Sequence, residues 1–249
     1  MKAMILAAGE GRRLRPLTNQ TPKALIKIIG VPMIEIVIRR LIKAGVTEII
    51  INTFHLADKI QNFLSAKRNF GINIEISRET ELLDTGGGLK KAAGFFNDGR
   101  PFFLHNVDVV SNLNLGRLYR AHQKRPALAT LAVQQRASLR RLLFDANNRL
   151  CGWESRAQKR RIWTKGPVEN AQDLAFAGIH VISPKIFSKI EENGVFSINQ
   201  TYLRLGGQGE NIQAFDASDC YWADIGTEKK LKAVRRQFKG QTLGSVLGI

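Results

Sequence analysis

The sequence lacks the features that would place a protein in a membrane or in an oxidising compartment. No apolar run in its 249 residues approaches the roughly 20 residues that a membrane-spanning helix needs. Its two cysteines, Cys151 and Cys220, do not form a close metal-binding pair, and two buried or half-buried thiols are the simplest interpretation. The apolar N-terminal stretch ends in a turn rich in glycine and arginine, which indicates a buried strand rather than a signal peptide. We therefore expect a cytoplasmic protein with no membrane partner.

Acidic residues are few compared with basic ones. The chain has 38 lysines and arginines against 21 aspartates and glutamates, which gives a formal net charge of +17. Such a surface attracts polyanions, so the partners could be nucleic acids or phosphorylated small substrates, or the charge could have no specific role. Because the charge is spread along the chain and no recognised nucleic-acid motif accompanies it, no specific nucleic-acid binding is expected.

Strand and helix patterns alternate over the first half of the chain. The predicted strands are 2–7, 46–54, 72–77 and 101–107, and the predicted helices are one from Pro32 to Gly45 and two near 56–68 and 89–96. This order predicts an α/β fold with a Rossmann-like, mostly parallel sheet and helices on both faces. The second half is richer in strands, with a hairpin around 146–148, and residues 154–173 resemble a mobile loop. Candidate site residues should follow the strands, at their carboxyl ends.

The loop after the first strand combines small residues with arginines, which lets backbone amides approach a phosphate and adds positive charge. It is not a dinucleotide fingerprint, because Leu14 stands where a third glycine is required, and it lacks the Gly-Lys-Ser/Thr of a Walker loop. It resembles the loop of the sugar-1-phosphate nucleotidyltransferase family. The matching residues are Leu6, Ala7, Ala8, Gly9, Gly11, Arg13, Pro16, Thr18, Pro22 and Lys23.

Later motifs follow in the order that this family shows. Thr85, Gly86 and Gly87 match its glycine-rich segment against the base and ribose, and Asp108 and Asp224 match its metal-binding aspartates. The short chain resembles the compact branch that includes mannose-1-phosphate guanylyltransferase cores and N-acetylmuramate-1-phosphate uridylyltransferases. We expect one nucleotidyltransferase-type domain over 1–238, with a nucleotide-binding half at about 1–125, a strand-rich, sugar-phosphate-binding half at about 126–238, and a tail at 239–249.

The resemblance also implies a role for each matching residue. Arg13 and Lys23 would be catalytic, neutralising the phosphates, and Asp108 and Asp224 would hold Mg²⁺. The implied nucleotide-binding residues are Leu6, Ala7, Ala8, Gly9, Gly11, Arg13, Thr85, Gly86 and Gly87, and the implied sugar-binding residues are Asn106 and Gly178.

Two departures from the family pattern leave the sugar open. Val107 replaces a glycine beside the expected sugar site, and the lysine of the family's Glu-Lys-Pro segment is missing at Ser155. Arg156, or a basic residue in 158–165, is the expected substitute for that lysine.

The resemblance implies an enzyme of nucleotide-sugar biosynthesis, which would supply the cell envelope. It would join a sugar 1-phosphate, mannose-like or N-acetylmuramate 1-phosphate, to GTP or UTP and release pyrophosphate. Two alternatives stay open: a non-catalytic nucleotide-binding regulator on the same fold, and a nucleic-acid-binding protein. The sequence leaves the sugar, the base and the oligomeric state undecided.

Overall fold

The computed structural model describes residues 1–242, together with Gly244 and Leu247, so the predicted tail at 239–249 lies partly outside the described residues. The strands are β1 (Lys2–Leu6), β2 (Lys27–Ile28), β3 (Val31–Pro32), β4 (Glu48–Thr53), β5 (Asn73–Arg78), β6 (Phe102–Asn106), β7 (Val109–Ser111), β8 (Ala129–Gln134), β9 (Arg140–Phe144), β10 (Leu150–Ser155), β11 (Arg160–Trp163), β12 (Gln172–Ile182), β13 (Ile212–Asp216) and β14 (Trp222–Asp224). The helices are α1 (Met33–Lys43), α2 (Ala57–Ala66), α3 (Asp84–Lys91), α4 (Leu115–Lys124), α5 (Ile198–Gly207) and α6 (Glu228–Gln237).

One large sheet organises the domain. At its centre β6, β1, β4 and β5 lie side by side in this order and run parallel. β12 continues the sheet antiparallel to β6 and connects it to β8 and β9, so the second half of the sheet is mostly antiparallel. The predicted α/β fold with parallel central strands is confirmed, and so is the strand-rich character of the second half.

The core lies on both faces of this sheet. α1 places Ile34, Val37, Ile38 and Leu41 at helical spacing against one face, together with α2 and α4. α3 and α5 cover the opposite face, where Met4 of β1 points. Alternate residues of β1 therefore enter different cores, which is why the strand reads as a continuous apolar run. None of the helices formed by the described residues is long and apolar enough to cross a membrane.

Two local predictions are wrong. The segment predicted as a mobile loop at 154–173 contains β11, which pairs antiparallel with β10. Polar side chains on this hairpin pair across the strands, Arg161 with Glu154 for example, so the strand has no apolar periodicity to reveal it. The helix predicted near 89–96 is α3, which begins earlier, at Asp84, and includes the glycine run that we took for its entrance.

Candidate active site

A cavity of about 460 Å³ lies at the carboxyl ends of β1, β4 and β6. Loops converge at this edge of a parallel sheet, so side chains from distant parts of the sequence meet there. The lining residues are Leu6, Ala8, Gly9, Lys23, Asn52, Leu82, Asp84, Thr85, Asn106, Val107, Asp108 and Val195. Seven of the predicted site residues are among them: Leu6, Ala8, Gly9, Lys23, Thr85, Asn106 and Asp108.

The loop after β1 has a backbone that requires glycine at one point and leaves room at another. Gly11 has a φ of +67°, and a Cβ there would lie 2.8 Å from the Cγ2 of Thr18. Thr18 donates a hydrogen bond of 2.9 Å from its hydroxyl to the Gly11 carbonyl, which holds this turn closed. Gly9 is exposed, and a Cβ built on it would meet nothing within 4 Å. The loop therefore offers open backbone beside Gly9, where a ligand group fits.

A buried chain of hydrogen bonds joins the loops that follow β1, β4 and β5. The Ala7 amide donates to the Asn52 side-chain oxygen at 2.8 Å, and the Asn52 side-chain nitrogen donates to Glu79 at 2.7 Å. The second Glu79 oxygen accepts the Leu83 amide at 3.1 Å. Because each buried polar group has a partner, this chain fixes the cavity wall on the side of α3. The amide of Ala7 is thus already bonded, although we predicted that Ala7 binds the nucleotide.

The two predicted metal ligands lie at neighbouring strands, Asp108 directly before β7 and Asp224 at the end of β14, although 116 positions separate them in the sequence. β14 pairs antiparallel with β7, and this register places Asp224 opposite Val109, the residue after Asp108. The Ile225 amide also donates a hydrogen bond of 3.0 Å to the Asp108 carbonyl. The structure therefore brings the two carboxylate residues to the same edge of the molecule.

Each of these aspartates has a lysine partner. Lys23 forms an ion pair with Asp108, and Lys230 forms one with Asp224. Burial alone would raise the pKa of Asp224, but the Lys230 ammonium and the Gly226 amide outweigh it and hold that pKa below its usual value. The charge of Lys23 also lowers the pKa of Asp224, so Lys23 is close enough to act on both carboxylates.

The pair Asp108 and Asp224 has the donor chemistry of a Mg²⁺ site. Among the residues that the structure describes, no group of three or more histidine, cysteine, aspartate or glutamate side chains is arranged to hold a metal ion. Mg²⁺ commonly takes one or two carboxylates and completes its shell with water and substrate phosphates. Two carboxylates, which offer only oxygen donors, beside an open cavity fit that requirement.

Arg13 reaches the same edge from the first loop. A Cβ on Gly226 would lie 3.2 Å from a terminal nitrogen of Arg13 and 2.9 Å from an oxygen of Asp224. Glycine at this position therefore leaves the space in which the guanidinium approaches the carboxylate. The neighbouring Arg12 instead points to solvent and pairs with Glu10. The structure thus distinguishes Arg13, which lies at the site, from Arg12, which does not, although the two residues are adjacent and carry the same charge.

Gly86 and Gly87 have a structural reason to be glycine. Both are buried in α3, where their amides donate to the Phe196 carbonyl at 2.9 and 3.3 Å. A Cβ on Gly86 would lie 2.3 Å from the Phe196 ring, and one on Gly87 would lie 2.4 Å from the Gly194 carbonyl oxygen. These two residues pack α3 against the segment before α5, whereas Thr85 lines the cavity.

The predicted sugar-binding residues are neighbours in space. Gly178 has a φ of +73°, and a Cβ there would lie 2.7 Å from the side-chain nitrogen of Asn106. The Trp222 indole donates a hydrogen bond of 2.7 Å to the carbonyl of Ala177, directly before Gly178. Gly178 therefore lies at the irregular part of β12, where the strand contacts Asn106 of β6 and Trp222 of β14. Val107, which replaces the family's glycine, is buried and lines the cavity.

Two of the residues that we expected to replace the missing lysine are bonded to carboxylates. Arg156 pairs with Glu154 and Asp173, and Arg161 pairs with Glu154. Sequence reasoning missed Arg136, whose guanidinium carbon lies 3.5 Å from the centroid of the Trp222 ring. Arg136 stands in an irregular polar segment after β8, so only the three-dimensional structure connects it with the site.

Two histidines near the sheet centre are kept neutral by burial. Burial lowers the pKa of His105 to about 3 and the pKa of His180 to about 3, and both side chains are essentially unexposed. Their ring nitrogens contact the Asn106 carbonyl and the Tyr202 hydroxyl, at 2.8 Å each. These histidines are therefore part of the core at neutral pH and carry no charge into the cavity.

Comparison with known proteins gives matches over almost the whole chain. The family profile described as "Nucleotidyl transferase" matches residues 2–240. A mannose-1-phosphate guanyltransferase of Gibberella zeae is 30% identical over 234 residues, which are 92% of this chain and 62% of that protein. An N-acetylmuramate alpha-1-phosphate uridylyltransferase of Neisseria meningitidis serogroup B is 31% identical over 233 residues, 93% of this chain and 96% of that protein. The chain therefore spans less than two thirds of the guanyltransferase but nearly all of the uridylyltransferase.

Solved structures share the fold. A putative glucose-1-phosphate thymidylyltransferase from Bacillus anthracis, in complex with a sucrose, superimposes with a TM-score of 0.80 at 22% identity, over 100% of this chain and 99% of that one. HddC from Yersinia pseudotuberculosis, complexed with GMP-PN, gives a TM-score of 0.75 at 20% identity, over 95% and 99% of the two chains. At such identities the likeness concerns the fold, and it covers the whole domain.

Proposed function

The chain belongs to the nucleotidyl transferase family, as its first loop predicted, and from this premise we propose that it joins a sugar 1-phosphate to a nucleoside triphosphate. The observation that carries the proposal is the meeting of Asp108, Asp224, Lys23 and Arg13 beside the cavity at the ends of the parallel strands. The nucleoside triphosphate would lie along the loop after β1, with its base toward Thr85 and its phosphates toward Arg13 and Lys23.

The proposed reaction is an in-line substitution at phosphorus. An oxygen of the sugar phosphate forms a bond to the α-phosphorus, and the bond from that phosphorus to the oxygen bridging to the β-phosphate breaks, so pyrophosphate leaves. The attacking oxygen is already anionic, so the chain does not need a general base, in keeping with the buried neutral histidines. Arg13 and Lys23 stabilise the negative charge that shifts onto the leaving pyrophosphate. The open backbone at Gly9 lets the triphosphate approach the loop closely enough to be oriented.

Asp108 and Asp224 would hold Mg²⁺, which supplies charge neutralisation between the phosphates of the two substrates. The lysines that pair with these aspartates hold the carboxylates in place. Lys23 would exchange its contact with Asp108 for a phosphate oxygen when the nucleotide binds, since both partners are anionic and lie at the same edge.

N-acetylmuramate 1-phosphate with UTP is the first substrate pair to test, because the uridylyltransferase relative is 31% identical over 233 residues. Mannose 1-phosphate with GTP is the second pair, on the strength of the guanyltransferase relatives. Either product is a nucleotide-sugar that would be made in the cytoplasm, where nucleoside triphosphates are available, and consumed by glycosyl transfer, including cell-envelope synthesis.

A substrate matrix tests the proposal. The purified chain is incubated with Mg²⁺, each of the four nucleoside triphosphates, and a panel of sugar 1-phosphates that includes mannose, glucose, heptose and N-acetylmuramate 1-phosphates. We expect pyrophosphate release that requires both substrates and is strongest with one pair. Nucleotide binding without pyrophosphate release for any pair would contradict the proposal and favour the non-catalytic regulator. Tight, salt-sensitive binding to oligonucleotides would favour the nucleic-acid-binding alternative.

A further inference from the structure

Three contacts hold Arg136 at the sugar side of the site, two through its guanidinium and one through its backbone. It stacks over the Trp222 ring at 3.5 Å and donates a hydrogen bond of 2.9 Å to the Phe176 carbonyl. The Arg136 backbone carbonyl in turn accepts a hydrogen bond of 3.0 Å from Arg141. Both the side chain and the backbone of Arg136 are therefore held in one orientation.

This orientation brings Arg136 close to one of the proposed metal ligands. Trp222 and Asp224 are two residues apart on β14, so their side chains lie on the same face of that strand. The charge of Asp224 raises the pKa of Arg136, against the larger lowering that burial causes. Arg136 is thus close enough to Asp224 to feel its charge, and it contacts the Phe176 carbonyl, two residues before Gly178, which we expect to face the sugar.

The hydrogen-bonding capacity of Arg136 is not used up. Its Nε is buried and has no hydrogen-bond partner, and within residues 1–242 Arg136 forms no ion pair with a carboxylate. The neighbouring arginines pair with carboxylates, Arg141 and Arg156 with Asp173 and Arg161 with Glu154, although the Nε of Arg141 is also buried without a partner. A buried N–H group without a partner is rare in folded proteins and suggests that a ligand supplies the acceptor.

We infer that Arg136 binds the phosphate of the sugar 1-phosphate and takes the place of the lysine that is missing at Ser155. The inference rests on the proposed function and identifies the residue that would contact the sugar 1-phosphate, the substrate that attacks the nucleotide. Stacking on Trp222 fixes the plane of the guanidinium, and a planar guanidinium presents donors that match phosphate oxygens. The phosphate held there would lie beside Asp224, where its free oxygen can be directed at the nucleotide.

The test compares Arg136→Gln and Arg136→Lys with the matched control Arg156→Gln, which removes an arginine on the same side whose nitrogens already bind carboxylates. Hydrogen bonds to a charged group are strong enough that Arg136→Gln should raise the KM for the sugar 1-phosphate by about 10- to 100-fold. The KM for the nucleoside triphosphate should stay within about 2-fold, since the contacts that fix Arg136 are with Trp222, Phe176 and Arg141 and not with residues of the predicted nucleotide site. Arg136→Lys should recover part of the loss, and Arg156→Gln should stay close to wild type.

Binding gives a readout that does not depend on turnover. Calorimetric titration with N-acetylmuramate 1-phosphate and with mannose 1-phosphate, in the presence of a non-hydrolysable UTP or GTP analogue, should show the same 10- to 100-fold weakening in Arg136→Gln. Equal affinity in the wild type and Arg136→Gln overturns the inference and leaves the proposed function intact. Parallel increases in both KM values, or a lower melting temperature that alone accounts for the loss, would show that Arg136 merely supports Trp222. A wild-type protein that binds no sugar 1-phosphate contradicts the inference and the proposed function together.

Discussion

Replacing Asp108 with alanine is expected to lower turnover by about a thousandfold, because it removes one of the two carboxylates that would hold the metal ion. The fold should survive, since the Asp108 carboxylate is partly exposed and pairs with Lys23 at the cavity rather than with the core. The backbone bond from Ile225 to the Asp108 carbonyl remains in the variant and keeps β14 in place. Steady-state pyrophosphate release and a thermal melt, measured on the same preparation, check both parts.

Asp98→Ala is the control for this variant. Asp98 is exposed in the turn before β6, where its carboxylate accepts the Arg100 amide, and it lies outside the residues that line the cavity. Turnover of this control should be close to that of the wild type. An Asp108→Ala protein that folds and turns over at the wild-type rate would remove Asp108 from the active site.

Replacing Lys23 with alanine is expected to lower kcat by about 100- to 1000-fold, the usual loss when one group that stabilises transition-state charge is removed. The side chain of Lys23 is 14% exposed and lines the cavity beside Asp108, so a triphosphate would contact it directly. The loss should fall mainly on kcat and less on the nucleotide KM, because charge builds up on the pyrophosphate only as the bond breaks. Initial-rate kinetics over both substrates separate the two effects.

Lys27→Ala provides the matched control. Lys27 lies four residues further on in the same segment, is exposed, and does not line the cavity. Its replacement lowers the positive charge of the protein by the same amount, so a general electrostatic effect on substrate approach would appear in both variants. Equal kcat in the two variants would show that Lys23 has no specific role in the chemistry.

The central strands and the first loop could be predicted from the sequence for a physical reason. β1 is buried on both faces, so its residues form an unbroken apolar run, and the turn after it needs glycine at position 11 because of the left-handed backbone and the contact with Thr18. These requirements are local, so a single stretch of sequence displays them. The pairing of Asp108 with Asp224 depended instead on the family resemblance, since β7 and β14 meet only in the folded chain.

The glycines of α3 show where a local pattern misleads. Three successive glycines ordinarily oppose a helix, and the sequence therefore favoured a loop that contacts the ligand. In the structure they belong to the helix because Phe196, Gly194 and Asn52 approach its backbone too closely for any side chain. The packing of α3 against the segment before α5 overrides the low helix propensity of glycine. That segment is distant from α3 in the sequence, so no local pattern indicates the contact.

Arg136 is the opposite case, because it is a functional candidate that no local sequence pattern indicates. It follows β8 in a short polar segment and is one of many arginines in a chain of net charge +17. What distinguishes it is the position of its guanidinium over the ring of Trp222, a residue that lies 86 positions later in the sequence. The sequence pointed instead to Arg156 and the basic residues of 158–165, which were chosen for their position and charge. Nothing in the sequence indicated that Arg156 and Arg161 form ion pairs with carboxylates.

The shared binding of one cation by Asp108 and Asp224 is tested most directly by titration with Mn²⁺, which prefers the same octahedral oxygen coordination as Mg²⁺ and is visible by electron paramagnetic resonance. The titration compares wild type, Asp108→Asn, Asp224→Asn and the double variant, each with a non-hydrolysable nucleoside triphosphate analogue. We predict one tightly bound Mn²⁺ per wild-type chain, at least tenfold weaker binding in either single variant, and little further loss in the double variant. Mn²⁺ binding that survives unchanged in either single variant would contradict the account.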